Sequence, residues 1–259
     1  MSHYFCFKRF RIRQDISAMK VNTDSVLLGS WASVTGERKI KKVLDIGTGT
    51  GVVALMIAQR LSDIADDFNV VAIDIDPLSA EEAAINFKNS PWSSEMTAME
   101  YSLQDFQSKT EGDTYDLIVS NPPYFTDSLK APSARRSVAR HNDDLPFCVI
   151  IESSRKLLND YGKLDVILPA EETERFIREV KGATSALASS LFITRICNVK
   201  TIDSKKEKRV IIELTKLPQD INVQDIGGCI NEELIINEYD GVTKTAEYKK
   251  LTGDFYLSN

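Results

Sequence analysis

The apolar residues of this chain fall into short runs of two periods. Residues 42–46 (Lys-Val-Leu-Asp-Ile), 69–74 (Asn-Val-Val-Ala-Ile-Asp) and 115–120 (Tyr-Asp-Leu-Ile-Val-Ser) read as buried strands. The last is apolar on both faces, which predicts a central strand. Residues 97–103 read as a weaker third strand and 162–168 as a fifth. Between them, 51–61, 77–87, 145–158 and 171–180 carry helical patterns, with Pro77 suited to a first turn. Strands alternating with helices predict a parallel sheet with crossover connections, an α/β fold. Residues 191–199 and 209–216 read instead as an antiparallel pair around the charged turn 203–208. A further strand is expected near 233–237, and 249–256 forms a short closing segment. Before the first strand, residues 24–32 predict a helix with Leu27, Leu28 and Trp31 on its core face. The expected organisation is one domain over 1–259, with a leader (1–40), a core (41–217) and a C-terminal extension (218–259).

Composition narrows this picture. A chain of 259 residues can bury one sizeable core. No apolar run is long enough to cross a bilayer, and the basic N-terminus lacks the apolar stretch of a signal peptide. A soluble, cytoplasmic chain is expected. Its four cysteines include no Cys-x-x-Cys, and there are two histidines, so no metal site is expected. A net charge of −6 argues against nonspecific coating of nucleic acid.

The chemistry concentrates at two strand ends. After the first strand comes Asp45-Ile-Gly47-Thr-Gly49-Thr-Gly51. Its glycines allow a tight turn and a close approach of backbone to ligand. A dinucleotide fingerprint would need glycine at 52, and a phosphate-cradling loop would need Gly-Lys-Ser/Thr; Val52 and Val53 satisfy neither. An acid before alternating glycines suits a ligand with a zwitterionic amino-acid tail, with Asp45 attracting the ammonium. A ligand-free strand–helix turn is the structural alternative. Asp74, 23 residues beyond Gly51, is placed to accept ribose hydroxyls, while Asp76 suits a helix cap. Asp105 and Phe106 follow the third strand, where an acid can accept from an adenine amine and an aromatic can pack on its ring.

The second strand end carries Asn121-Pro122-Pro123-Tyr124. Two prolines fix φ and remove two N–H donors. Asn121 and the Pro122 carbonyl can then present acceptors to a planar amine. Its lone pair is delocalised, and acceptors on its hydrogens favour a pyramidal nitrogen able to attack a sulfonium methyl in line. Tyr124 offers a stacking face. The alternative is a mere strand terminator.

Together these motifs resemble the class I, Rossmann-like S-adenosylmethionine-dependent methyltransferases that carry Asn/Asp-Pro-Pro-Tyr/Phe. That resemblance implies a mostly parallel seven-stranded sheet with a C-terminal antiparallel hairpin, and S-adenosylmethionine as cofactor. The leader 5–32, including Gln14 and the run Lys20-Val-Asn-Thr-Asp-Ser-Val-Leu-Leu-Gly29, resembles one bacterial family, the tRNA methyltransferases of N6 of adenine 37 in a valine tRNA. Ser30 stands where that family leads one to expect alanine. The resemblance implies that the leader caps the cofactor site, with Gln14, Thr23 and Asp24 beside the cofactor.

The charge pattern leaves room for RNA. Lys8 and Arg9 lie in a basic leader, and Arg135, Arg136 and Arg140 in the long polar stretch 126–144 after the second motif. Both groups are expected to hold phosphates while a base is splayed into the site. A solvated loop is the alternative for the second group. Lys205, Lys206, Lys208 and Arg209 read as an exposed hairpin turn. The expected partner is tRNA, bound by a monomer. Protein glutamine N5- or RNA guanine N2-methylation share the motif; a DNA methyltransferase would need an added recognition domain, and a non-catalytic binding module would not need the intact Asn121–Tyr124 corner.

Overall fold

The computed structural model describes residues 3–35, 38–123, 145–184, 190–218, 221, 224 and 227–257. Two strands, β1 (Tyr4–Cys6) and β2 (Arg11–Arg13), form an antiparallel hairpin, followed by helix α1 (Thr23–Trp31). The core then alternates β3 (Lys42–Ile46), α2 (Val52–Ser62), β4 (Asn69–Asp74), α3 (Pro77–Lys88), β5 (Met96–Glu100), α4 (Leu103–Lys109) and β6 (Tyr115–Ser120). It continues with α5 (Phe147–Leu157), β7 (Leu158–Pro169), α6 (Thr173–Thr184), β8 (Ser190–Lys200), β9 (Glu207–Leu217), β10 (Ile230–Ile235) and α7 (Ala246–Thr252).

The main sheet has eight strands in the order β10-β8-β9-β7-β6-β3-β4-β5. All neighbours are parallel except the two pairs that β9 makes, with β7 and with β8. The expected α/β sheet and C-terminal hairpin are therefore present, with β10 as an eighth strand. β6 shows why the core strands are apolar on both faces. Leu117 and Val119 join a core shared with α1, α2 and the leader, whereas Ile118 joins one shared with α4, α5 and α6.

Helix caps explain several boundaries. The Asn22, Asp76 and Ser102 side chains accept from the Ser25, Ser79 and Asp105 amides, at 2.9, 3.1 and 3.1 Å, and so start α1, α3 and α4. Ser102 corrects the third strand: the chain leaves β5 at Glu100, and Leu103 opens a helix. α1 buries Leu27, Leu28 and Trp31 as its pattern predicts.

Sheet topology fixes the site. The chain runs outward from β3 to β5, then returns to the other side of β3 as β6. Ligands of open α/β sheets bind at such a switch, at the carboxyl ends of the strands. Ile46 lies opposite Ser120 in the β3–β6 register, so the glycine loop and Asn121 leave the sheet side by side. β7 and β9 continue past that level, since Ser120 pairs with Val166, Val166 with Ile212, and β9 begins five residues earlier at Glu207. The β8–β9 hairpin stands as a wall on one side, with Lys205, Lys206 and Lys208 exposed in or beside its turn.

Candidate active site

The glycine loop divides into two functions. Gly47, Gly49 and Gly51 all have positive φ (70, 57 and 81°), the region that favours glycine. A Cβ on Gly47 would meet nothing within 4 Å, so this position faces open space. A Cβ on Gly51 would come within 2.5 Å of the Phe87 ring. Gly51 therefore serves helix packing against α3, while Gly47 leaves a cradle. The Gly47 and Thr48 amides bond the Ile73 carbonyl at 2.9 and 3.0 Å, wrapping the loop over the end of β4.

Asp45 is 2 % exposed, and its carboxylate accepts from the Thr48 hydroxyl at 2.6 Å. Among the described residues no cation pairs with it. Burial pushes its carboxyl up to about 7, opposed by the bonds from Thr48 and the Ala54 backbone, with a smaller push from the charge of Asp74. Such a buried, uncompensated acid would be completed by an ammonium. Asp74 ends β4 and accepts from the Gly49 and Asp76 amides at 2.8 and 2.9 Å. Its place at the carboxyl end of a strand beside the switch is where doubly wound folds accept ribose hydroxyls. Asp76 caps α3, as its position suggests. Ile75 is 48 % exposed between them, an apolar side chain at the switch edge that the sequence reading missed. The open cradle at Gly47, the unpaired buried acid and the acid at the end of β4 fit an aminoacyl nucleoside such as S-adenosylmethionine.

Asp105 and Phe106 are only partly where expected. Asp105 is exposed in the first turn of α4 and accepts from the Ser102 hydroxyl at 2.7 Å. Phe106 is 1 % exposed, with its ring packed near Tyr101 and Tyr115. Because the segment is helical, this ring faces the core, and the expected stacking on a ligand is corrected.

Asn121 is half-buried at the end of β6, with Pro122 buried and Pro123 exposed. Tyr124 lies outside the described residues, as do Arg135, Arg136 and Arg140. The Asn121 side-chain nitrogen donates to the Ser25 hydroxyl of α1 at 3.3 Å. This orientation follows from a chain of single donors. Asn22 Oδ1 accepts the Ser25 amide, so it is the oxygen of that side chain. The Ser25 hydroxyl gives its one hydrogen to Asn22 Oδ1 at 3.1 Å. Its oxygen can then only accept from Asn121. The Asn121 oxygen is left for another donor. Nothing in the local sequence signalled this tether.

The leader lies over this edge. Thr23 is exposed at the start of α1, beside the Asn22–Ser25–Asn121 chain. The Gln14 side chain accepts from the Val21 amide at 3.1 Å, closing the segment between them. Asp24 does not stand open toward a ligand: it pairs with Arg209 at 2.7 Å, tying α1 to β9. Arg209 is thus a structural ion pair and not part of the exposed turn. Lys8 and Arg9 both have partners within the chain. Lys8 donates to the Gly253 carbonyl at 2.5 Å, and Arg9 pairs with Asp63 at 2.7 Å and lies over Trp92. Asp63 caps the end of α2, 12 residues beyond Gly51, or about 18 Å at 1.5 Å per residue. Lys8 and Arg9 thus fasten the leader to the segment after α7 and to the end of α2, while both side chains stay exposed.

Among the described residues no cluster of His, Cys, Asp or Glu could hold a metal, and no helix is long and apolar enough to cross a membrane. Residues 17–190 match the methyltransferase small domain family. A tRNA1(Val) (adenine(37)-N6)-methyltransferase of Bacteroides thetaiotaomicron is 42 % identical over 98 % of this chain and 97 % of its own. Among solved structures, a predicted O-methyltransferase from Agrobacterium tumefaciens superposes with a TM-score of 0.65 at 17 % identity, covering 92 % of this chain and 99 % of that one. A 16S rRNA N2 G1207 methyltransferase of T. thermophilus, solved with AdoMet and guanosine, gives 0.54 at 15 %, covering 83 % and 50 %. At these identities the two structures speak to fold alone, and the fold is that of class I methyltransferases.

Proposed function

This chain belongs to the methyltransferase small domain family and, within it, to the tRNA1(Val) (adenine(37)-N6)-methyltransferases, and from that premise we propose that it methylates N6 of adenine 37 in a valine tRNA at the corner formed by Asn121 and Pro122. The observation that carries the reading is the juxtaposition of the glycine loop with Asn121 across the β3–β6 register. A donor cradle and a pair of amine acceptors leave the same edge on adjacent strands.

S-adenosylmethionine, when bound, supplies an electrophilic methyl on a positively charged sulfur. Asp45 takes its ammonium, Gly47 and Gly49 give it room, and Asp74 accepts its ribose hydroxyls. Asp105, exposed beside that edge, is available to the adenine amine of the cofactor. Asn121 Oδ1 and the Pro122 carbonyl accept the two hydrogens of the target N6. Those bonds draw the nitrogen lone pair out of conjugation and stabilise the charge that develops on the amine. The prolines make the corner rigid, so this alignment needs no reorganisation on binding. Tyr124 supplies a face for the flipped adenine. Arg135, Arg136 and Arg140, which follow the corner in sequence, hold flanking phosphates. The enzyme works as a monomer in the cytoplasm, with no metal.

The test is incubation with labelled S-adenosylmethionine and total tRNA from a strain lacking the gene, followed by nucleoside analysis. Label is expected in N6-methyladenosine at one position of one tRNA; label in protein alone would sink the reading. Asn121→Ala should abolish transfer and leave cofactor binding within about twofold, since the side chain acts on the acceptor.

A further inference from the structure

Helix α3 buries three polar side chains on one face, Ser79, Glu82 and Asn86, at 5, 0 and 2 % exposure. Spacings of three and four residues align them along the helix. None has a role in the chemistry above. Glu81, next in sequence to Glu82, is exposed.

All three reach the leader. Glu82 accepts three consecutive amides: Asp15 and Ile16 on Oε1 at 2.7 and 2.9 Å, and Ser17 on Oε2 at 2.8 Å. Asn86 accepts the Arg13 amide at 2.8 Å and donates to the Arg13 carbonyl at 2.9 Å, in the manner of a neighbouring strand. It also donates to the Thr50 carbonyl at 2.9 Å, inside the glycine loop. The Ser79 hydroxyl gives its hydrogen to Asp76 at 2.8 Å, so Ser17 must donate to Ser79 across 3.1 Å. Ser17 in turn lies 3.8 Å from where a Cβ on Gly49 would stand. Beyond Ser17, Met19 and Lys20 are exposed before the chain enters α1.

We propose that Glu82 and Asn86 are positioning residues of the cofactor site: they latch the leader segment 13–17 onto α3 and so fix 17–21 as a cover over the glycine loop. The proposal rests on the methyltransferase reading for what lies beneath the cover. The argument for it is one of cost. Burying a carboxylate is expensive, and among the described residues no cation forms an ion pair with Glu82, although the Arg13 guanidinium lies close enough to feel its charge. Three amides aimed at one anion make a nest that compensates for it. The arrangement therefore specifies one position of a segment that, beyond Arg13 at the end of β2, has no helix or sheet of its own. Asn86 holds that segment and the glycine loop in the same register.

The experiment measures S-adenosylmethionine affinity by calorimetry, steady-state methylation of tRNA, and tryptic cleavage after Lys20. Glu82→Ala is expected to raise Kd and KM for S-adenosylmethionine about tenfold, with kcat at saturation within about threefold, and to speed cleavage at Lys20 with little change elsewhere. Glu82→Gln keeps Oε1 for Asp15 and Ile16 but turns an amide donor toward Ser17, so an intermediate loss of about threefold is expected. If the alanine variant does not fold, the glutamine variant with Ser17→Ala carries the same test. Unchanged cofactor affinity, or a loss in kcat alone, would overturn the proposal; so would acceleration of cleavage at all sites equally. Absence of tRNA methylation by the wild type would instead refute the activity, while calorimetry and proteolysis would still read the latch.

Discussion

Cofactor affinity should depend on pH in a way that traces to Asp45. Its carboxyl, held up to about 7 by burial, is half protonated near neutrality in the free enzyme. A bound ammonium requires the ionised form. The ammonium itself deprotonates with an ordinary pKa of about 7.7–8.0. At pH 7.4 about 0.7 of Asp45 is ionised and about 0.7 of the amine protonated, a product near 0.5. At pH 6 these become about 0.1 and 1, a product near 0.1. Affinity for S-adenosylmethionine should therefore fall about five- to sixfold from pH 7.4 to 6, and fall again above pH 8. Near pH 7 each binding event should release about half a proton from Asp45, measurable by calorimetry in buffers of different ionisation enthalpy. Asp45→Asn should weaken binding at pH 7.4 and abolish the acid limb, while the alkaline limb stays. Without cofactor the linkage runs the opposite way. The folded pKa lies above the unfolded 3.8, so the Asp45 contribution to stability is full below about 4 and is lost as pH rises through 7. An acid limb that survives in Asp45→Asn, or its absence from the wild type, would refute the assignment.

Three further outcomes follow from contacts described above. Ser25→Ala should lower kcat about five- to tenfold with KM for S-adenosylmethionine unchanged, because the Asn121 amide loses its orienting acceptor, while Ser25→Thr keeps most of the rate in the same tRNA assay. Ser30 is 5 % exposed and its hydroxyl has no hydrogen-bond partner among the described residues; Ser30→Ala should stabilise the fold by about 1 kcal/mol, read as a higher Tm. Neutralising Arg135 and Arg136 should weaken tRNA binding and flatten its salt dependence by about one log unit of slope per phosphate lost, whereas Lys8→Ala with Arg9→Ala should leave that slope unchanged and lower Tm.

How much of this was legible before the structure depended on whether a feature is local. β3, β4 and β6 announce themselves by apolar runs, and Gly47, Gly51 and Asn121 by residue types with few other uses. Their adjacency followed from one rule about parallel sheets. What was missed or misread shares a different cause. Glu81 and Glu82 are the same residue type, and only the leader's amides, some 65 residues away in sequence, make one of them buried. Phe106 reads as a strand-end aromatic until the Ser102 cap turns the segment helical. Arg9 reads as a free cation until Asp63 and Trp92 are placed beneath it. β1 and β2, three residues each, carry no periodicity long enough to read.

The leader's partners also set an order of events during synthesis. Residues 7 and 8 meet Phe255, through a bond from the Lys8 amide to the Phe255 carbonyl at 2.8 Å and ring centroids of Phe7 and Phe255 6.5 Å apart. Trp31 donates to Glu232 at 2.9 Å. Residues 7, 8 and 31 thus close on the body only after β10 and α7 have been made, while β3 to β6 can pair among themselves much sooner. The latch of 13–17 onto α3 needs nothing made after Asn86 and can close early, whereas the contacts of residues 7, 8 and 31 with β10 and the segment after α7 close last. High contact order of this kind slows folding. It also means that a chain still lacking β10 and α7 would already hold its glycine loop, its latch and the Ser25 bond to Asn121, with residues 7, 8 and 31 still to be fastened.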